Sequence, residues 1–189
     1  MDKASVGDAC NAGIITRPTM DEILKVSGYF EFQCFGPDGK LKWEDDIRNV
    51  VTTLGKNDIL DKYLGITSVA GIFMGLISNT SYAAGVLAAD TMASHTGWTE
   101  AATNQPTYSQ ATRPAVTFGA AALGVKLSNT VVFSITAGSA SICKGSFITT
   151  DSAKAGTAGL LVAGGTFTAG DKTVSNGDTL NGTYQLTLT

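Results

Sequence analysis

The sequence predicts an all-β fold, a β-sandwich or jelly-roll-like domain carrying an N-terminal arm and one or two short helices. Three observations carry this. "GYFEFQCFGPDGKLKWEDDI" alternates apolar and polar residues on both sides of a turn signal. Short apolar-rich segments then recur at roughly ten-residue spacing to the end of the chain, the pattern of sandwiches and jelly rolls. The closing "LNGTYQLTLT" puts Leu180, Tyr184, Leu186 and Leu188 on one parity and Thr183, Gln185, Thr187 and Thr189 on the other.

The elements follow in order. Residues 1–19 are polar and aperiodic and read as extended chain, and residues 1–25 together are expected to form an arm that crosses onto a neighbouring subunit. "RPTMDEILKV" reads as a short helix, with Thr19 as its cap and Asp21 and Glu22 in its first turn. The domain division is therefore an arm over 1–25 and a single β-domain over 26–189. In the hairpin, Phe30, Phe32 and Cys34 share one face, and Leu41 and Trp43 return on the partner strand. Pro37 and Gly39 supply the turn chemistry of "GPDG". "RNVVTT" extends the second strand or starts a third. "GKNDILDKYLG" reads as a helix begun by Lys56 or Asn57, with Ile59, Leu60, Tyr63 and Leu64 as its apolar face and Gly65 as its stop. Further strands are expected near 69–77, 114–120, 122–128, 130–136, 142–149, 158–163 and 180–188. Residues 78–113 form a loop that is long for one domain, a feature usually tied to interaction.

Charge is unevenly spread. Net charge is −3, with no basic excess to neutralise phosphates, so neither nucleic acid nor an anionic membrane is an expected partner. Residues 1–64 hold 8 Lys/Arg and 11 Asp/Glu, whereas residues 65–189 hold 5 and 5. A free domain carries about a quarter charged residues. A surface this poor in charge suits one covered by other protein.

Catalytic and cofactor chemistry finds little support. "DTMASHTGW" contains the only histidine, His95, beside Ser94 and five residues after Asp90. Adjacent Ser and His rarely reach triad geometry and no GxSxG elbow occurs, so the stretch reads as a hydrogen-bonded polar loop. Cys10, Cys34 and Cys143 fit no zinc or redox spacing and are expected to be buried free thiols in a reducing cytoplasm. Glu44, Asp45 and Asp46 read as a solvated acidic hairpin end rather than a calcium site. Asp90, Glu100, Asp151, Asp171 and Asp178 lie mostly in turns. The Gly-rich "GVLAAD", "GAAALG" and "VAGGTFTAGDK" match no phosphate-binding loop. "ITSVAGIFMGLIS" is too short to span a bilayer and reads as a buried strand. No catalytic, cofactor-binding or metal residue is assigned.

In combination, "GPDGKLKWEDDIRNVVTTLGKNDILDKYL", "GIFMGLIS", "AADTMASHTGWTE", "YSQATRPAVTFGAA" and "NGDTLNGTYQLTL" resemble a module of tailed-phage structural proteins over residues 28–189. The resemblance implies a non-enzymatic virion component without a cofactor. It points to a capsid decoration (cement) protein made in the host cytoplasm and bound to the capsid surface. The major capsid protein and further copies of this chain, as a dimer or trimer, would be its partners. The alternative is a tail or head fibre subunit with a receptor- or carbohydrate-binding module, in which Trp98 and Tyr108 would meet a sugar face.

Overall fold

The computed structural model describes residues 25–63, 71–137 and 140–189. The arm, the first expected helix apart from Lys25 and Val26, Cys10 and residues 64–70 lie outside the described residues.

The expected hairpin is present as β1 (Val26–Phe35) and β2 (Leu41–Arg48). Val26, placed at the end of a helix by the sequence reading, instead opens β1. A bond from the Gly39 N–H to the Gly36 carbonyl closes the turn, and Gly39 takes φ 76°. Phe30, Phe32 and Cys34 are buried, while Glu31 and Gln33 face out. β3 (Val50–Val51) follows, then α1 (Thr53–Tyr63).

The helix starts earlier than expected. Its cap is Thr52, whose Oγ1 accepts the Gly55 N–H at 3.0 Å and donates to the Leu161 carbonyl. Gly55 presses on the carbonyl of Val162, where a Cβ would lie 2.2 Å from the oxygen. This close approach fixes the contact face at positions 55, 58, 59 and 62. Leu60, assigned to that face, is therefore 52% exposed on the other side. Asp58 and Lys62 form a half-sheltered i,i+4 pair at 2.7 Å.

The remaining strands are β4 (Phe73–Ser78), β5 (Val125–Leu127), β6 (Val131–Ser134), β7 (Ser141–Thr149), β8 (Leu161–Thr166), β9 (Lys172–Val174) and β10 (Thr179–Leu188). They build two antiparallel sheets. The first runs β2-β1-β10-β5, with β6 also on β10; the second runs β3-β8-β7-β4, with β9 also on β7. The all-β, sandwich-like class expected from the sequence is what the structure shows. β9 was not expected, being three residues between two turns.

"PAVTFGAA" is not a continuous strand. It bridges β4 through Phe73 and Ala115, then the β5 side through Phe118 and Ser128. Crossing from one sheet to the other, it makes too few consecutive bonds in either to form a ladder. Its alternation survives in the burial of Val116 and the partial burial of Phe118.

The core lies between the sheets and gathers Phe30, Phe32, Phe133, Leu76, Leu180 and Tyr184, among others. A second cluster of Ile77, Val86, Met92, Trp98, Phe147 and Leu161 sits apart from it. The two clusters take successive β4 residues, Leu76 and Ile77, which a pleated strand points to opposite faces. The second sheet is thus covered on its outer face as well, by residues from the segment after β4. Phe147 pairs with Gly75 on one side and Gly164 on the other, and a Cβ at either glycine would lie under 3.0 Å from Phe147. These glycines in "FMGLIS" and "LVAGGT" make room for an aromatic layer outside the sheet.

Cys34 and Cys143 are buried and free. Burial, and for Cys34 also the charge of Asp178, pushes both thiols up to about 12. Since only the thiolate attacks, neither should react with a thiol reagent at pH 8 in the folded protein, and both should react in denaturant. Titration with a chromogenic disulfide before and after adding guanidinium checks this. More than one fast thiol per native chain would contradict it, since Cys34 and Cys143 leave only one other cysteine in the sequence.

Candidate functional site

The segment from 79 to 124 joins the two sheets and is irregular apart from isolated bridges, yet it is fastened at several points. The first fastening surrounds Trp98, which is 1% exposed. Its indole Nε1–H donates to Asp90 Oδ2 at 3.0 Å, and the same oxygen accepts the Leu87 N–H at 2.9 Å. The His95 ring stacks on the indole at 3.9 Å, and its Nδ1 lies 3.0 Å from the Trp98 carbonyl oxygen. A carbonyl only accepts, so Nδ1 carries the proton. Ser94 enters through its backbone N–H, which donates to the Thr91 carbonyl and hydroxyl oxygens. Asp90 and His95 are thus brought together around Trp98, while Ser94 closes a turn with Thr91, and each holds the shape of the loop.

The second fastening is a buried ion pair. Arg113, 1% exposed, meets Glu100 in a fork, Nε to Oε1 at 2.9 Å and Nη2 to Oε2 at 2.8 Å. Its remaining N–H groups donate to the carbonyls of Asp151 and Gly156, and the Asp151 carboxylate lies 3.7 Å away. Glu100 Oε2 also accepts the Ala155 N–H at 2.7 Å. Arg113 thereby ties the long loop to the β7–β8 connection. Lys154 adds a third fastening. It donates to the carbonyls of Tyr108 and Gln110, each at 3.0 Å, and sits 3.8 Å from the Tyr108 ring centroid. Burial holds its amine below the ordinary lysine range.

The two aromatics that a sugar-binding fibre module would need at the surface are buried. Trp98 is in the second cluster and Tyr108, 3% exposed, packs edge-on against Phe133 at 5.0 Å. Both fill apolar space that the irregular segment must cover, so neither presents a sugar-stacking face.

The acidic hairpin end divides by parity. Asp45 is not solvated: it pairs with Lys172 at 2.8 Å and accepts the N–H groups of Asp46 and Ala169. Its carboxyl is held below the usual range by hydrogen bonds from Lys172 and those amides, which outweigh burial. Glu44 and Asp46, together with Asp45, line an open cavity of about 520 Å³ with Glu31, Gln33, Asn181 and Thr183. Asp178 is 1% exposed, and its Oδ2 takes the Lys42 ammonium, the Ser175 N–H and the Cys34 thiol. Asp171 pairs with Lys144 at 2.7 Å. The five turn carboxylates are thus internal fasteners, a role that their Gly, Ser and Thr neighbours do not reveal. The one available signal was their scarcity, since a charge kept in a charge-poor segment has to be held by a partner.

Among the described residues no three or more His, Cys, Asp or Glu side chains are grouped to hold a metal ion, and no helix is long and apolar enough to cross a membrane. Comparison with known proteins returned no matching family model, no matching curated protein and no matching solved structure.

Proposed function

We propose that this chain is a non-enzymatic structural component of a tailed-phage virion, a capsid decoration protein that binds and stabilises the major capsid protein lattice. The observation that carries the reading is where the charges go. Residues 65–189 hold ten charged side chains, and nine are spent on ion pairs or hydrogen bonds within the described structure. These are Asp90, Glu100, Arg113, Lys144, Asp151, Lys154, Asp171, Lys172 and Asp178. Only Lys126 has no such partner among the described residues. The surface left over is built of Ser, Thr, Ala and Gly, with Leu87, Leu123, Leu127, Val132 and Leu188 exposed on it. Free charge keeps a lone protein from associating, and the charge-poor surface contributed by the later two thirds of the chain suits packing against other protein, while the hairpin and α1 keep exposed charges such as Glu31, Lys40, Glu44 and Lys56.

The fastenings support the same reading. A long segment held by buried ionic and aromatic contacts offers a pre-shaped contact surface without an ordering cost on binding. The fibre reading, by contrast, has lost Trp98 and Tyr108 as a sugar platform. Cryo-electron microscopy of the virion tests the proposal, with density for this chain expected on the capsid lattice. Density on the tail alone would overturn it in favour of the fibre reading.

A further inference from the structure

From the open face of the first sheet we infer that the domain docks by that face, its acidic edge set against Lys or Arg side chains of the shell protein and its apolar edge against the same surface. The inference rests on the decoration reading and adds to it the face used and the chemistry of the partner. The two sheets differ in their cover. The second carries the Trp98 cluster on its outer face, whereas the outer face of the first leaves its side chains exposed or half-buried. Residues opposite one another across a ladder share a face. Glu44 stands opposite Gln33, and Asp46 opposite Glu31. Across β10 the same face continues to Val132, opposite Asn181, and to Leu127, opposite Gln185. β5, which carries Leu127, opens later than the strand expected over 122–128, because Leu123 and Gly124 turn the chain with φ 52° and 75°. The face thus has an acidic edge on β2 and β1 and an apolar edge on β5 and β6, with β2 about 14 Å from the apolar edge at three strand spacings.

Neither edge serves the monomer. Glu31, Glu44 and Asp46 are in no ion pair among the described residues, while Asp45, Glu100, Asp151, Asp171 and Asp178 each have one. Glu31 and Asp46 face each other directly, and like charges so placed cost stability. Glu44 takes a hydrogen bond from Gln33, a neutral group. The open cavity of about 520 Å³ at this edge has no Lys or Arg on its walls. Val132 and Leu127 are 43% and 48% exposed.

The spread of the charges selects the occupant. A metal ion needs ligands that converge on one point, and no three carboxylates are so grouped among the described residues. Separated carboxylates are matched by separate cations on a partner's surface. Residues 1–24 do not supply them, having Lys3 and Arg17 against Asp2, Asp8, Asp21 and Glu22. A second copy does not either. It brings the same acidic edge, and its exposed Lys40, Lys56 and Lys126 stand apart on the hairpin turn, α1 and β5. A different protein with clustered Lys or Arg is the complement, and on the decoration reading that protein is the shell subunit. The hydroxyl-rich and apolar surface of residues 65–189 can meet a neighbour in many orientations. The acidic edge fixes which way round the domain sits and speeds its approach.

The test mixes purified full-length protein with tailless capsids from a phage lacking the gene for this chain, and reads occupancy by co-sedimentation. The unaltered protein is expected to bind, with affinity falling as salt rises from about 50 mM to about 500 mM. Glu31→Gln/Asp46→Asn removes the facing charges, so it should melt no lower than the unaltered protein and bind roughly tenfold more weakly, with a flatter salt dependence. Asp38→Asn/Asp61→Asn changes net charge equally but away from the face, and should bind as the unaltered protein does. Val132→Thr keeps shape and strand preference, and should weaken binding without changing its salt dependence. Unaltered protein that stays off the capsids overturns the decoration reading and this inference with it. Binding that either face variant retains in full, or that the Asp38/Asp61 variant loses equally, overturns the inference alone and leaves the decoration reading standing.

Discussion

Arg113→Met is expected to destabilise the protein by about 3–5 kcal/mol, the usual cost of breaking a buried ion pair from one side. The apolar stem can be replaced by Met, but the fork cannot. Glu100, 7% exposed, would keep a charge with only the Ala155 N–H to meet it, and the carbonyls of Asp151 and Gly156 would lose their donors. The losses fall on two strand connections, Glu100 on the one after β4 and Asp151 and Gly156 on the one between β7 and β8, so the segment around Glu100 and the β7–β8 connection should loosen together. Urea denaturation gives the free energy, and hydrogen exchange at residues 150–157 gives the location. The double variant Arg113→Met/Glu100→Leu separates pairing from packing, because it removes the stranded charge and should recover part of the loss. A single variant within 1 kcal/mol of the original protein would show that the fork is not holding the loop.

The fold class was legible because sheets write themselves at period two. β1 and β10 alternate, since one face of each meets the core and the other meets water, and β2 does so only toward Ile47, with Leu41 exposed at its start. β4 is buried on both faces and reads only as an apolar run, "FMGLIS". Its glycine, read alone, is a weakness in a strand; read with Phe147 and Gly164, it is the space for an outer aromatic layer. That relation joins residues over 70 positions apart and leaves no local trace. The α1 face was misassigned for a related reason. Ile59 and Leu60 have the right spacing for an apolar stripe, but the Gly55 contact with Val162 sets the rotation of the helix. Tertiary contact overrides a pattern that short. The loop between β4 and β5 was legible in its length and in the structural role of "DTMASHTGW". Its fastenings were not. Glu100 and Arg113 stand 13 residues apart in irregular chain, where no periodicity brings them to one face.

Trp98→Ala is expected to cost about 3–5 kcal/mol, the range for emptying a large aromatic site in a core. The indole is the centre of the second cluster: it contacts Phe147 at 5.1 Å, carries the stacked His95 ring, and donates to Asp90. Removing it leaves a cavity over the second sheet and withdraws one of the two N–H groups on Asp90 Oδ2. The outer layer should then detach while the core between the sheets, which does not include Trp98, stays packed. Graded substitutions divide the contributions. Trp98→Phe keeps most of the volume and loses the N–H, so it should cost about 1–3 kcal/mol for the unmet carboxylate. His95→Ala keeps the indole and loses the stack and the bond to the Trp98 carbonyl, for roughly 1 kcal/mol. The order alanine, phenylalanine, then His95→Ala is the signature of a loop built on one buried ring. Thermal melts supply the order, and limited proteolysis in the segment 80–97 supplies the place. If Trp98→Ala melts within a degree of the original protein, or if cleavage appears first in β1 or β10 instead, the ring does not anchor the loop.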